Sequence, residues 1–232
     1  MAEHGNFKSR NSFRHRLSDA WFDAVARLVS LKVARIRLRQ KTYPWFVQHY
    51  GNFRFGEKWR DASVRVVGNE SGVIFGQVAR MVRDIESTSG TPPRSVLLAG
   101  ESARAKAVYA RLTPTPESSI VTAGLHDDAD CGWNFENPPP PSLKSADLIV
   151  SHAILEHLID PYGHVRDLSK LLNPGGHLVL YTVVPGFPYH RHPVDCMRFF
   201  PDWFEEVADR LKLRVSDRFL GDDHIVYCLR KP

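Results

Sequence analysis

The chain has 232 residues, enough for one sizeable α/β domain with an appendage, and 43% of them are apolar, which argues against wholesale disorder. Its three cysteines, Cys131, Cys196 and Cys228, stand at wide, unrelated spacings with no CxxC pair, so neither a disulfide framework nor a metal site is expected. No apolar run approaches the length of about eighteen residues that a membrane helix needs, and the amino terminus lacks a signal-peptide core; a soluble, cytoplasmic protein is expected.

The net charge of +5 is unevenly spread. Residues 1–60 hold 13 Lys and Arg against 4 Asp and Glu, which leaves residues 61–232 at −4. Within the basic part, Ser18-Asp19 reads as a helix start, and Trp21, Val25, Leu28, Val29, Val33 and Ile36 then fall on one helical face. Lys32, Arg35, Arg37 and Arg39 crowd its later turns, where cations suit the helix dipole. Three readings stay open for this helix: docking by its apolar face on the main domain, binding of an anionic partner, or lying on a membrane surface. No recognised nucleic-acid motif accompanies the charge. Six aromatics between Tyr43 and Phe55, broken by Pro44 and Gly51, form an irregular segment that either packs on the main domain or lines an acceptor pocket. Ile74 to Ile85 reads as a second helix and Ser87 to Pro93 as a linker. The expected division is a basic helical extension over 1–90 and an α/β domain over 91–232.

The main domain opens with a strand over Arg94–Gly100, a turn Gly100-Glu101-Ser102-Ala103-Arg104 and a helix over Ala103–Leu112. A strand Ser119–Ala123 follows, then the acidic turn containing Asp127, Asp128 and Asp130, and a stunted strand within Cys131–Glu136. Asp147 leads into the buried run Leu148-Ile149-Val150. Ala153 to Leu172 carries apolar residues at helical spacing, with Pro161 breaking the pattern midway, and Asn173-Pro174-Gly175-Gly176 is a stop. His177–Val184 is a second buried strand. Two buried strands joined by a helix make a βαβ unit and so imply a parallel sheet. Pro201–Leu211 is an amphipathic helix, and Leu213–Leu220 and His224–Leu229 flank Gly221-Asp222-Asp223 as a hairpin.

The run D-L-I-x-S-x-x-x-L-E-H-x-x-D-P from Asp147, followed after a helix by L-x-P-G-G-x-L from Leu172, resembles the second half of a class I S-adenosylmethionine-dependent methyltransferase domain. The likeness is specific over about forty residues and extends over 94–232. It implies a Rossmann-like methyltransferase sheet with a C-terminal antiparallel hairpin, preceded here by the helical extension. It further implies S-adenosylmethionine as cofactor and methyl transfer to oxygen or nitrogen of a small molecule or saccharide. The family's glycine-rich turn, E-x-G-x-G-x-G, is kept here only at Gly100. Ser102 is small enough to replace the second glycine, while Leu98 and Arg104 occupy the acidic and third glycine positions. Gly124 stands where the family places its ribose-binding carboxylate; Asp127, Asp128 and Asp130 are either a displaced substitute or a solvated turn.

Carried over by position, the cofactor-binding residues are Gly100, Glu101, Ser102, Gly124, Asn134, Phe135 and His152, with Asn134 expected at the adenine amine and His152 near the methionine end. The segment H-x-x-P-x-D-x-x-R-F from His190 matches a wall of the family's acceptor site. It makes His190 the expected base, with Asp195 orienting it, and Tyr189, His192 and Arg198 the expected acceptor contacts. Asp195 and Arg198 equally suit a simple ion pair. His157 is a further candidate catalytic residue, though the Glu156-His157 pair can also serve to shape the site. The altered cofactor turn leaves two other readings open: an inactive scaffold or partner protein, and an enzyme catalysing another reaction on the same frame.

Overall fold

The computed structural model describes residues 65–68, 72–185, 187, 189–190, 194–220 and 224–232. The basic helix expected from Ser18, the aromatic segment 43–56, His192 and the turn 221–223 lie outside the described residues. A short antiparallel pair comes first, β1 (Arg65–Gly68) with β2 (Gly72–Phe75), and leads directly into α1 (Gly76–Ser89). The helix expected over 74–85 is therefore shifted towards the linker, and a hairpin unforeseen in the sequence precedes it.

The main sheet has seven strands: β3 (Val96–Ala99), β4 (Ile120–Gly124), β5 (Cys131–Gly132), β6 (Ala146–His152), β7 (Leu172–Val183), β8 (Arg214–Leu220) and β9 (His224–Arg230). Their order is β5-β4-β3-β6-β7-β9-β8. Strands β5 to β7 pair in parallel, and β9 runs antiparallel to both β7 and β8. The carboxyl ends of the parallel strands thus lie along one edge, with a reversal of order beside β3, which is where open α/β sheets bind ligands.

Alternation along the strands builds two apolar layers. Leu97, Ile149, Leu178 and Leu180 face α3 (Pro161–Leu171) and α4 (Pro201–Arg210), meeting Val165, Leu168, Phe204 and Val207. Val96, Leu98, Leu148, Val150 and Val179 face the opposite layer, with Val78, Met81, Val82 and Ile85 of α1 and Val108 and Tyr109 of α2 (Lys106–Leu112). Each such fully buried aliphatic side chain contributes about 1.5–3 kcal/mol. Helix α1 is part of the sheet's own core, although it precedes the linker from which the expected domain boundary was drawn.

The helix expected from Ala153 begins instead at Pro161. Ala153 adopts a left-handed φ of 55°, a single 3₁₀ turn covers Leu155–His157, and Asp160 then caps α3 by accepting the Gly163 N–H at 2.8 Å. Proline is favoured in the first helical turn, where its missing donor costs nothing. At the other end, Lys231 Nζ donates to the carbonyls of Ser169 and Leu172, at 3.0 and 2.7 Å. The residues Asn173–Gly176 bulge out between the register pairs Ala146–Leu172 and Leu148–His177, with Gly175 at φ 79°. Among the described residues no helix is long and apolar enough to cross a membrane.

Candidate active site

Two neighbouring groups of side chains line the carboxyl edge of the sheet. The first lies over β3 and β4. Gly100 follows β3 at φ 89°, and a Cβ there would stand 2.3 Å from Ile154 Cδ1. A Cβ on Gly124, at the end of β4, would lie 3.5 Å from the Gly100 Cα, so two backbones approach with no side chain between them. Glu101 Oε1 lies 3.2 Å from His152 Nδ1, and the His152 ring stacks on Tyr181 at 4.6 Å between centroids. His126 Nε2 reaches the Gly100 carbonyl at 3.2 Å, a contact that requires the Nε2–H tautomer.

The remaining residues expected around a cofactor are placed differently from one another. Ser102 precedes the 3₁₀ turn Ala103–Ala105, which leads into α2, and makes no side-chain cap bond. Asn134 is exposed and accepts the Glu136 N–H at 3.1 Å. Phe135 is buried, with its ring centroid 4.7 Å from that of His164 in an edge-to-face contact. Asp127 and Asp128 are exposed. Asp130 turns back to the sheet, accepting the Thr122 N–H at 2.7 Å and the Lys106 ammonium at 2.5 Å. Burial opposes its ionisation, but these bonds outweigh it and hold the carboxyl below its usual range. The side chain of Asp130 is thereby committed to fastening β4 to α2.

The second group lies past β6 and β7. Glu156, in the turn after β6, is completely buried at 0% exposure. Its carbonyl accepts the N–H groups of Cys196 and Met197 at 2.8 and 3.2 Å, which pins the segment after β7 over it. Glu156 Oε2 accepts the Thr182 hydroxyl at 2.7 Å. Its Oε1 is buried, has no hydrogen-bond partner among the described residues and stands 3.9 Å from both His157 Nε2 and His190 Nε2.

His157 Nδ1 bonds the Val194 carbonyl. A carbonyl only accepts, so Nδ1 carries a proton and Nε2 is the nitrogen turned to the Glu156 side. The His190 N–H of the backbone donates to Asp195 Oδ2 at 2.8 Å, and its ring Nδ1 lies 3.6 Å from the same oxygen. The ring is held edge-on between Phe187 and His157, at 5.0 and 4.9 Å. Arg198 grips Asp195 through both guanidinium nitrogens, with Nη2–Oδ2 at 2.7 Å, and also lies over the Phe187 ring. The Arg198 guanidinium, helped by the His190 N–H, holds the Asp195 carboxyl well below the usual carboxylate range against the effect of burial.

Of the expected catalytic and acceptor residues, His157, His190, Asp195 and Arg198 are gathered here, and Tyr189 projects outward at 73% exposure. Glu156, read from the sequence with His157 as a pair that supplies a base or shapes the site, is the residue on which both histidines converge. The ion pair foreseen as one option for Asp195 and Arg198 is present, and it sits against the His190 ring.

The family model described as "Methyltransferase domain" matches residues 130–180. A tRNA U34 carboxymethyltransferase from Hahella chejuensis is 42% identical over 48 residues, which are 20% of this chain and 15% of that protein. The chain therefore aligns with under a fifth of the curated relative it matches. Among solved structures, the [4+2]-cyclase SpnF is similar with a TM-score of 0.49 and 14% identity, over 83% of this chain and 96% of that one. An S-adenosylmethionine-dependent methyltransferase from Mesorhizobium loti gives 0.48 and 13%, over 59% and 90%. The N-methyltransferase NodS from Bradyrhizobium japonicum WM9, in complex with S-adenosyl-L-homocysteine, gives 0.44 and 17%, over 67% and 86%. No residue role on this chain follows from these likenesses.

Proposed function

We propose that the chain is a class I S-adenosylmethionine-dependent methyltransferase that methylates an oxygen or nitrogen of a small molecule or saccharide, a reading supported by the match of residues 130–180 to the methyltransferase domain model. The observation that carries this reading is the convergence of Glu156, His157 and His190 beside Asp195 and Arg198, at the ligand edge of the sheet. A scaffold has no need of a buried carboxylate facing two imidazoles.

The residues of the first group fit the cofactor. Gly100 and Gly124 bring two backbones together at adjacent strand ends, close to the side chains of Ile154 and Phe135, and glycines at such a place let a cofactor approach the backbone. Gly100, Glu101 and Ser102 would border the cofactor on one side and Gly124 on the other. Asn134, Phe135 and His152 are retained in the proposed cofactor set on position alone. S-adenosylmethionine supplies an electrophilic sulfonium methyl with a good leaving group, so the protein's task is mainly to align an acceptor with it.

His190 is the proposed base. In the neutral form it can take a proton from an acceptor hydroxyl or ammonium, and Asp195, kept ionised by Arg198, stabilises the imidazolium that results. Phe187 and His157 restrict the ring to one orientation. Tyr189, His192 and Arg198 are the proposed acceptor wall. His190→Ala should lower kcat while leaving cofactor affinity nearly intact; loss of both would make His190 a cofactor or folding residue instead.

A second reading has its own observation. Gly124 ends β4 with no carboxylate, and Asp130 is tied to Thr122 and Lys106. A chain that kept the sheet but lost the cofactor, acting as the partner of an active enzyme, would look like this over β3 and β4. Titration with S-adenosylmethionine and S-adenosylhomocysteine separates the two.

A further inference from the structure

We propose that Glu156, His157 and His190 form a binding site for one divalent transition-metal ion of the zinc class, which deepens the methyl-transfer reading and rests on it only for the use made of the ion. One ligand atom from each residue lies within 4.8 Å of the others. Metal–ligand bonds of ~2.1 Å in tetrahedral geometry put such atoms ~3.4 Å apart, so closing the 3.9 Å separations takes about half an ångström of side-chain movement.

Three features distinguish this cluster from an incidental meeting of polar groups. Glu156 Oε1 is fully buried, has no hydrogen-bond partner among the described residues and faces both imidazoles. A buried carboxylate oxygen with no donor is costly and calls for a cation. His157 has its far nitrogen engaged by the Val194 carbonyl, which turns Nε2 inward, where the neutral ring would offer a lone pair. His190 has its far nitrogen 3.6 Å from the Asp195 carboxylate, and that carboxylate is itself anchored by Arg198. Imidazoles whose outer nitrogen is held by a carbonyl or carboxylate are the usual arrangement of metal-binding histidines.

The donor set selects the kind of ion. Two imidazole nitrogens and one carboxylate oxygen suit zinc, cobalt, nickel or iron, whereas calcium and magnesium prefer all-oxygen cages. The Asp195–Arg198 pair is internally neutralised, so the Glu156 carboxylate is the charge that a dication would meet. Three protein ligands also leave a fourth position open. In the loaded protein that position would take the acceptor oxygen, and His190 would serve as ligand; in the ion-free protein it remains the base.

The full chain, stripped with a chelator, should be titrated with Co²⁺ and followed by visible absorption and calorimetry. One ion per chain is expected, with the intense visible bands of a four- or five-coordinate site. Glu156→Gln, which can keep the Thr182 hydrogen bond, and His190→Ala, at a half-exposed position, should each weaken binding by at least about ten-fold. Cys196→Ser, at an exposed thiol, should leave the spectrum unchanged. Absence of stoichiometric Co²⁺ binding, or binding indifferent to both Glu156→Gln and His190→Ala, overturns the proposal. Titration of the same metal-free chain with S-adenosylmethionine reports on methyl transfer separately, so cofactor binding without Co²⁺ binding removes the metal site and leaves the enzyme reading standing.

Discussion

Glu156 Oε1 and His190 Nε2 face each other at 3.9 Å across the carboxyl edge of the sheet, one fully buried behind β6 and the other on the segment that follows β7. The contact exists because the Glu156 carbonyl accepts two N–H groups from Cys196 and Met197, while the Phe199 N–H bonds the Val183 carbonyl at 3.1 Å. Once an acceptor assay is available, His190→Ala should cut kcat by about 10²–10⁴, the range for losing a general base. Affinity for S-adenosylhomocysteine, measured by calorimetry, should change by less than about three-fold.

The Asp195–Arg198 pair should matter to stability as well as chemistry. Asp195→Asn leaves the Arg198 guanidinium without its bidentate partner beside a 2% exposed side-chain position, a change expected to cost about 2–4 kcal/mol. Chemical denaturation of the variant against the parent measures it, and proteolysis should cut first between residues 187 and 198.

His164 makes the fold sensitive to acid. Its ring is buried against Trp133 and Phe135, with Nε2 3.1 Å from the Ser151 hydroxyl, and burial lowers its pKa from 6.5 to about 3 despite Asp167. The unfolded chain binds this proton from about pH 6.5 downward and the folded chain resists until about 3. Stability from this group is therefore complete above pH 6.5 and falls as pH drops towards 3, by an upper bound of about 5 kcal/mol. His164→Gln, which can keep the Ser151 hydrogen bond, should flatten the decline in urea midpoint between pH 7 and 4.

Two glycines should resist substitution for different reasons. Gly100→Ala forces a left-handed φ on a residue whose Cβ meets Ile154, and should cost about 1–2 kcal/mol and weaken cofactor binding. Gly163→Ala puts a Cβ 2.2 Å from Asp160 Oδ2 and displaces the cap of α3, at about 1 kcal/mol in thermal unfolding with cofactor affinity little changed.

The thiols should separate cleanly. Burial pushes the Cys228 thiol up to about 12, whereas Cys196 is exposed. At pH 8 an alkylating reagent should label Cys196 within minutes and reach Cys228 only in denaturant, as intact and peptide mass spectrometry would record.

The βαβ core was legible because its signals are local: unbroken apolar strands, a proline and a glycine turn, all within Asp147–Val184. The hairpin β1–β2 escaped because four-residue strands carry too little periodicity to distinguish from the start of a helix. Ile154 and Leu158 extended the helical spacing backwards past Pro161, and only the left-handed φ of Ala153 and the Asp160 cap locate the true start. In the site, the segment from His190 was visible through its resemblance to the family's acceptor wall. The burial of Glu156 was not, since a lone glutamate in a sequence is ordinarily a solvated one and its partners here come from a distant segment.

The central claim, methyl transfer from S-adenosylmethionine, is tested most directly by calorimetric titration of the full chain with S-adenosylmethionine and S-adenosylhomocysteine. Binding of both at one per chain, lost or strongly weakened in a variant with a bulky side chain at Gly100, is the expected result. No binding of either up to about 1 mM, the upper end of ordinary substrate affinities, would contradict it.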